Sequence, residues 1–131
     1  MKKLLLTLLA PLLLVTGSAW AEWVWVTEAD AADVYIDPET IREDGNLVKL
    51  WEVHDLKQLH KDGHLSRRIR TEYDCKEERL RFLSLSKHSG PMASGTTLFT
   101  HDAPGKPDTW RQIPHGTVAN RVLKIVCAMQ P

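Results

Sequence analysis

The chain lacks a charge excess, a long apolar run and more than two cysteines, and each shortage closes off a class of function. Its 17 Lys and Arg balance 17 Asp and Glu. Nucleic-acid binding rests on counterion release by surplus cations, so that balance argues against a nucleic-acid partner. A membrane-spanning helix needs about 20 apolar residues. The longest apolar stretch, residues 4–15, is shorter than that and is broken by Thr7 and Pro11. Cys75 and Cys127 are far too distant in sequence for a Cys-x-x-Cys redox motif. Neither Ser89-Gly90 nor Ser94-Gly95 sits in a Gly-x-Ser-x-Gly frame, so no nucleophile elbow is present. Internal repeats and low-complexity segments are also missing.

What is present begins with an export signal. Met1-Lys2-Lys3 is a positive n-region, residues 4–15 are the apolar core, and Ala19-Trp20-Ala21 has the small-x-small form read by signal peptidase. Cleavage between Ala21 and Glu22 leaves residues 22–131, a length that one domain fills. Loss of Lys2 and Lys3 leaves that domain slightly acidic. No cysteine lies at the cleavage point, so no lipid anchor is expected there. The expected compartment is the periplasm or beyond it. In an oxidising compartment two cysteines pair as a rule, with two free buried thiols as the alternative.

The chain then reads as an antiparallel meander. Residues 67–86 are its centre, two strands joined by the charged turn Lys76-Glu77-Glu78. Ile69, Thr71, Tyr73 and Cys75 alternate with Arg68, Arg70, Glu72 and Asp74, the period of a half-buried strand. Strands are also expected at residues 22–27, 33–36, 47–56 and 94–100. Asp37-Pro38 ends the second, because proline offers no ladder donor, and one helical turn can follow at residues 38–41. Asp62-Gly63 marks a hairpin between residues 47–56 and 66–75. In residues 79–86, Leu80 and Phe82 share one parity and Leu83 and Leu85 the other, which predicts a bulge near Phe82. Trp110 is expected to anchor the core. After a Thr117 N-cap, Val118, Val122, Ile125, Val126 and Met129 form a helical stripe, with Asn120, Arg121 and Lys124 opposite. A strand with Leu123, Ile125, Cys127 and Met129 on one face is the alternative. The fold class is therefore α+β: about six antiparallel strands and a C-terminal helix on one face, stapled by Cys75–Cys127.

Candidate chemistry is thin. His54, His60 and His64 lie near one hairpin and, with Asp62, offer ligands of the kind zinc or copper takes. Their spacing matches no defined metal motif, so solvated loop histidines are the simpler reading and no cofactor is expected. His88, His101 and His115 fall in expected loops without readable partners. Glu72 and Asp74 read as solvent-facing carboxylates paired with Arg68, Arg70 or Arg81. Trp23, Trp25 and Trp51 are either core residues or a binding platform, and the segment holding Trp23 and Trp25 is a candidate homodimer contact.

Several of these pieces occur together in order: Trp25-Val26; Val34-Tyr35-Ile36-Asp37-Pro38 with Thr40-Ile41; Gly45-Asn46-Leu47-Val48 with Trp51; Glu72-Tyr73-Asp74-Cys75; Arg79 and Arg81; Met92 with Gly95; Trp110; and Pro114, Gly116 and Thr117 leading to Cys127. The set resembles the surface-adhesin protein E family of proteobacteria. The resemblance implies an antiparallel sheet, a C-terminal helix, a cysteine bond between them and a dimer. It also implies a non-enzymatic exported domain, since the family's name-giving member is a lipid-anchored surface protein that binds host matrix and serum proteins such as laminin, vitronectin and plasminogen. The missing lipidation cysteine sets this chain apart from that member, and a periplasmic protein partner is the alternative to a host one.

Overall fold

The structure, a computed structural model, describes residues 22–102 and 109–129. The export segment and the cleavage step after Ala21 lie outside the described residues. The elements are β1 (Val24–Glu28), β2 (Ala32–Ile36), a 3-10 turn (Pro38–Thr40), β3 (Arg42–Asp44), β4 (Leu47–Leu56), β5 (Ser66–Asp74), β6 (Arg79–His88), β7 (Thr97–Asp102), β8 (Arg111–Gln112) and α1 (Val118–Ala128). Six strands form one antiparallel path in the order β1-β2-β4-β5-β6-β7, while β3 pairs with β4 and β8 with β6. The two additions are the short strands, of three and two residues, too brief to leave an alternation in sequence.

Hydrophobic alternation builds the core on one sheet face. Val34 and Ile36 of β2, Val48 and Leu50 of β4, Tyr73 of β5 and Leu80 of β6 pack with Ile113 and with Val122, Leu123 and Val126 of α1. The expected bulge is present: Arg70 pairs with Ser84 but Thr71 pairs with Phe82, so Leu83 is the extra residue. That shift puts Leu85 opposite Ile69, on the face that carries Phe82, and explains the broken parity. A second irregularity separates Trp25 from Thr27 on β1.

Thr117 caps the helix as expected, its side chain accepting from the Asn120 N–H at 3.2 Å. The buried stripe differs from the one predicted. Asn120, Val122, Leu123 and Val126 face inward, whereas Ile125 is 38 % and Met129 44 % exposed. The helix is rotated toward Cys127, because the bond from Cys75 to Cys127 is made and fixes which flank meets the sheet. None of the described helices is long and apolar enough to cross a membrane.

One buried polar group was not anticipated. Glu52 of β4, 2 % exposed, accepts hydrogen bonds from Thr71 Oγ1 at 2.6 Å and Tyr73 Oη at 2.5 Å. Burial, with the Glu52 charge beside it, raises the Tyr73 pKa well above the usual value of 10.0. The phenol is therefore a permanent donor at neutral pH. Desolvating a carboxylate is costly unless such donors replace water.

Two predictions follow from this packing. Replacing both cysteines by alanine reopens a loop with a sequence separation of 52 and costs about 4 kcal/mol by loop entropy, an upper figure, read as a lower urea midpoint. Tyr73→Phe removes one donor to a buried carboxylate and costs about 1.5–3 kcal/mol in the same assay. An unchanged midpoint in either variant contradicts the corresponding assignment.

Candidate binding groove on the open sheet face

The face without the helix carries the other residue of each alternating pair. Lys49 and Trp51 of β4 stand opposite Glu72 and Arg70 of β5, while Arg81 of β6 stands opposite Glu72. With Arg68, the bulge residue Leu83, Ser84, Ser86, Thr100 and Asp102 they line a groove of about 750 Å³. Its floor is held by charge and stacking. The Arg68 guanidinium lies 3.8 Å from the Trp51 ring centroid. Arg81 Nη2 is 2.5 Å from Glu72 Oε1, and Arg79 Nε is 3.0 Å from Asp74 Oδ2. Both arginines also stack on Trp110, Arg79 at 4.6 Å and Arg81 at 4.3 Å. Trp110 is thus half-buried under two cations on the open face, and Ile113 is the residue that enters the core.

Glu72 and Asp74 depart from the solvated reading, being only 8 % and 5 % exposed. Burial opposes the Asp74 charge, but N–H donors of Glu77, Arg79 and Lys76 outweigh it and lower the pKa from 3.8. Asp74 is therefore a turn-closing carboxylate. Arg70 and Lys49 have no carboxylate or hydrogen-bond partner for their side chains among the described residues, so the groove presents cationic groups that are free to meet a ligand.

The histidines divide. His54 Nε2 lies 3.8 Å from Glu52 Oε2 and sits apart from the other two metal candidates. His60 and His64 converge on Asp62 at the tip of the β4–β5 hairpin. His101 is exposed on β7 and so is not in the expected loop, while His115, also exposed, lies 3.3 Å from Glu78 Oε2. His88 is not a loop residue: it ends β6, buried, with Nε2 at 2.8 Å from Ser86 Oγ and Nδ1 at 3.4 Å from Thr97 Oγ1. A serine–imidazole contact alone does not make a nucleophile. The second ring nitrogen faces a hydroxyl instead of the carboxylate that orients the base of a catalytic triad.

Of the three tryptophans, only Trp51 reaches the groove. Trp25 is 54 % exposed at the β1 edge and donates from Nε1 to Asp33 Oδ1 at 3.2 Å. Val24 beside it is 48 % exposed.

Residues 23–128 match the family model described as surface-adhesin protein E. The chain belongs to the surface-adhesin protein E family. Its fold is similar to that of Haemophilus influenzae protein E. A crystal form II structure gives a TM-score of 0.63 at 16 % identity, covering 85 % of this chain and 91 % of the other. The selenomethionine form gives 0.61 at 17 %, covering 86 % and 90 %. A structure of protein E from a non-typeable strain gives 0.58 at 15 %, covering 85 % and 78 %. No curated protein sequence matches significantly. Sequence reasoning placed the family and the six longer strands but missed β3, β8 and this adhesin E domain's groove, whose one legible sign was the row of arginines at 68, 70 and 81.

His88 supplies a pH prediction. Burial first, and then the neighbouring Arg68 charge, lower its pKa from 6.5. A base with a depressed folded pKa contributes stability that is fully present above its unfolded value, here about pH 6.5, and is lost as the pH falls through the folded value. The urea midpoint should fall on acidification through that window, and His88→Gln should flatten the fall. Parallel curves for both proteins contradict the assignment.

Proposed function

We propose that this adhesin E domain is an exported, non-enzymatic binding module, with residues 22–131 as its single domain, that holds an acidic surface of a protein partner in the groove. The observation that carries this reading is the pair Lys49 and Arg70. Among the described residues they are cations without carboxylate partners, on a floor stiffened by the Arg68–Trp51 and Arg81–Glu72 contacts. Rigid aromatic and arginine groups are the usual anchors of protein interfaces, and charge complementarity sets association rate and partner choice. Family membership supports the adhesin role. A host matrix or serum protein is the leading partner, and a protein of the bacterium's own envelope is the alternative. A second copy meeting the exposed β1 edge belongs to the same reading.

The test is binding of the purified protein to immobilised matrix and serum proteins and, separately, to envelope extract. Lys49→Gln with Arg70→Gln should lower affinity for the captured partner at least tenfold with little change in the urea midpoint. Raising salt from about 50 to 300 mM should weaken the wild type more than the variant. Equal affinities of the two proteins would remove the groove from the reading. Capture only from envelope extract would reject the host partner. A monomeric mass by light scattering at high concentration would reject the second copy.

A further inference from the structure

The hairpin tip between β4 and β5 holds a cluster that the groove does not use. His60, Asp62 and His64 each bring one ligand atom, all within 4.8 Å of one another. Both Nδ1 atoms turn to the same carboxylate oxygen, Asp62 Oδ1, that of His60 at 3.1 Å and that of His64 closer still. The His64 backbone N–H also donates to Oδ1, at 3.1 Å. Three groups thus crowd one oxygen that has two lone pairs. The Asp62 N–H also lies 3.5 Å from His60 Nδ1, so that ring nitrogen is held between the backbone and the carboxylate of the same residue.

We propose that His60, Asp62 and His64 form a binding site for a divalent transition ion of the zinc and copper class. Two neutral imidazoles and one carboxylate are a donor set that such ions prefer, and a metal would accept all three lone pairs at once. The surroundings support that role. His64 is 3 % exposed, so one ligand is fixed by packing, and the Gly63 φ of +87° supplies the sharp turn that returns His64 toward His60. Lys87 Nζ, 3.0 Å from Asp62 Oδ2, orients the carboxylate by holding the oxygen that the imidazoles leave free. It also adds a positive charge close by, which opposes the binding of a cation. The rings of His60 and His64 lie 4.6 Å apart, and His60 and Asp62 are exposed, so the remaining coordination positions are open to water or to a donor from a partner. His54 takes no part, since its imidazole lies beside Glu52.

Calorimetric titration of metal-stripped protein with zinc chloride tests the site. One equivalent should bind with micromolar affinity. His60→Ala, at an exposed position, should weaken binding at least tenfold with an unchanged urea midpoint, and Lys87→Met should tighten it. His54→Ala should leave the isotherm as it is. Absence of stoichiometric binding by the wild type overturns the proposal, as does an unaltered isotherm for His60→Ala. Loss of binding in His54→Ala equal to that in His60→Ala would also overturn it.

Discussion

One covalent closure governs the architecture. Cys75 follows the last residue of β5 and Cys127 lies in the final turn of α1, so the bond ties the end of the chain to a central strand. An 11-residue helix is marginal on its own in water, and its stability comes from the face it buries. That face is small, chiefly Val122, Leu123 and Val126. The disulfide removes much of the entropy that would otherwise release it. The Thr117 cap and the Met129 N–H bonds to Ile125 and Val126 finish the helix ends. With the helix held on one face, that face becomes the core and the other is left to polar chemistry.

The polar face is built differently from an ordinary solvated sheet. Exposed ion pairs contribute about 0–1 kcal/mol each, and charged groups scattered over a sheet would hold little in place. Here the carboxylates of Glu72 and Asp74 are buried while their arginine partners stay half-exposed. Breaking such a pair from one side strands a desolvated charge, so both arginines are confined to their positions. Trp110 confines them again by stacking. Rotamer entropy is therefore surrendered at folding and need not be surrendered on binding, which is how a pre-organised surface gains affinity.

Sequence periodicity revealed what packing dictates and little of what polar networks dictate. The limits Leu47–Leu56 of β4 and the bulge of β6 were legible, because each hydrophobic side chain must fall on the buried face or visibly break step. The helix face was misjudged by the position of Asn120. A polar residue on an apolar stripe reads as solvent-facing, and here the disulfide turned it inward. Trp110 was misplaced for a related reason: size and hydrophobicity mark a large aromatic as core, and its π-face, which pairs with guanidinium, leaves no trace in a hydropathy pattern. The burial of Glu52, Glu72 and Asp74 was equally hidden, since carboxylates read as surface until their donors are located. At the hairpin tip the three histidines suggested one cluster. The fold divided them, because His54 belongs to a strand and only His60 and His64 share the turn.

The residues that marked the family can now be assigned physical roles, and the roles are internal to the fold. Asp37 ends β2 and caps the 3-10 turn through Glu39 N–H. Thr40 donates to the Asp37 carbonyl at 2.7 Å and accepts from the Trp51 N–H at 2.9 Å, so the Asp-Pro-x-Thr piece locks the β2–β4 edge. Asp74 closes the β5–β6 turn, Glu72 and Arg81 brace the open face with Trp110, and Cys75 and Cys127 join helix to sheet. Residues occupied in holding the frame have little freedom left to discriminate among ligands. The groups that the frame does not consume among the described residues of the open face are chiefly Lys49 and Arg70, and the proposed partner choice rests with them. Membership in the family consequently transmits the scaffold to this chain, while the identity of what it binds is written in positions that the family pattern leaves free.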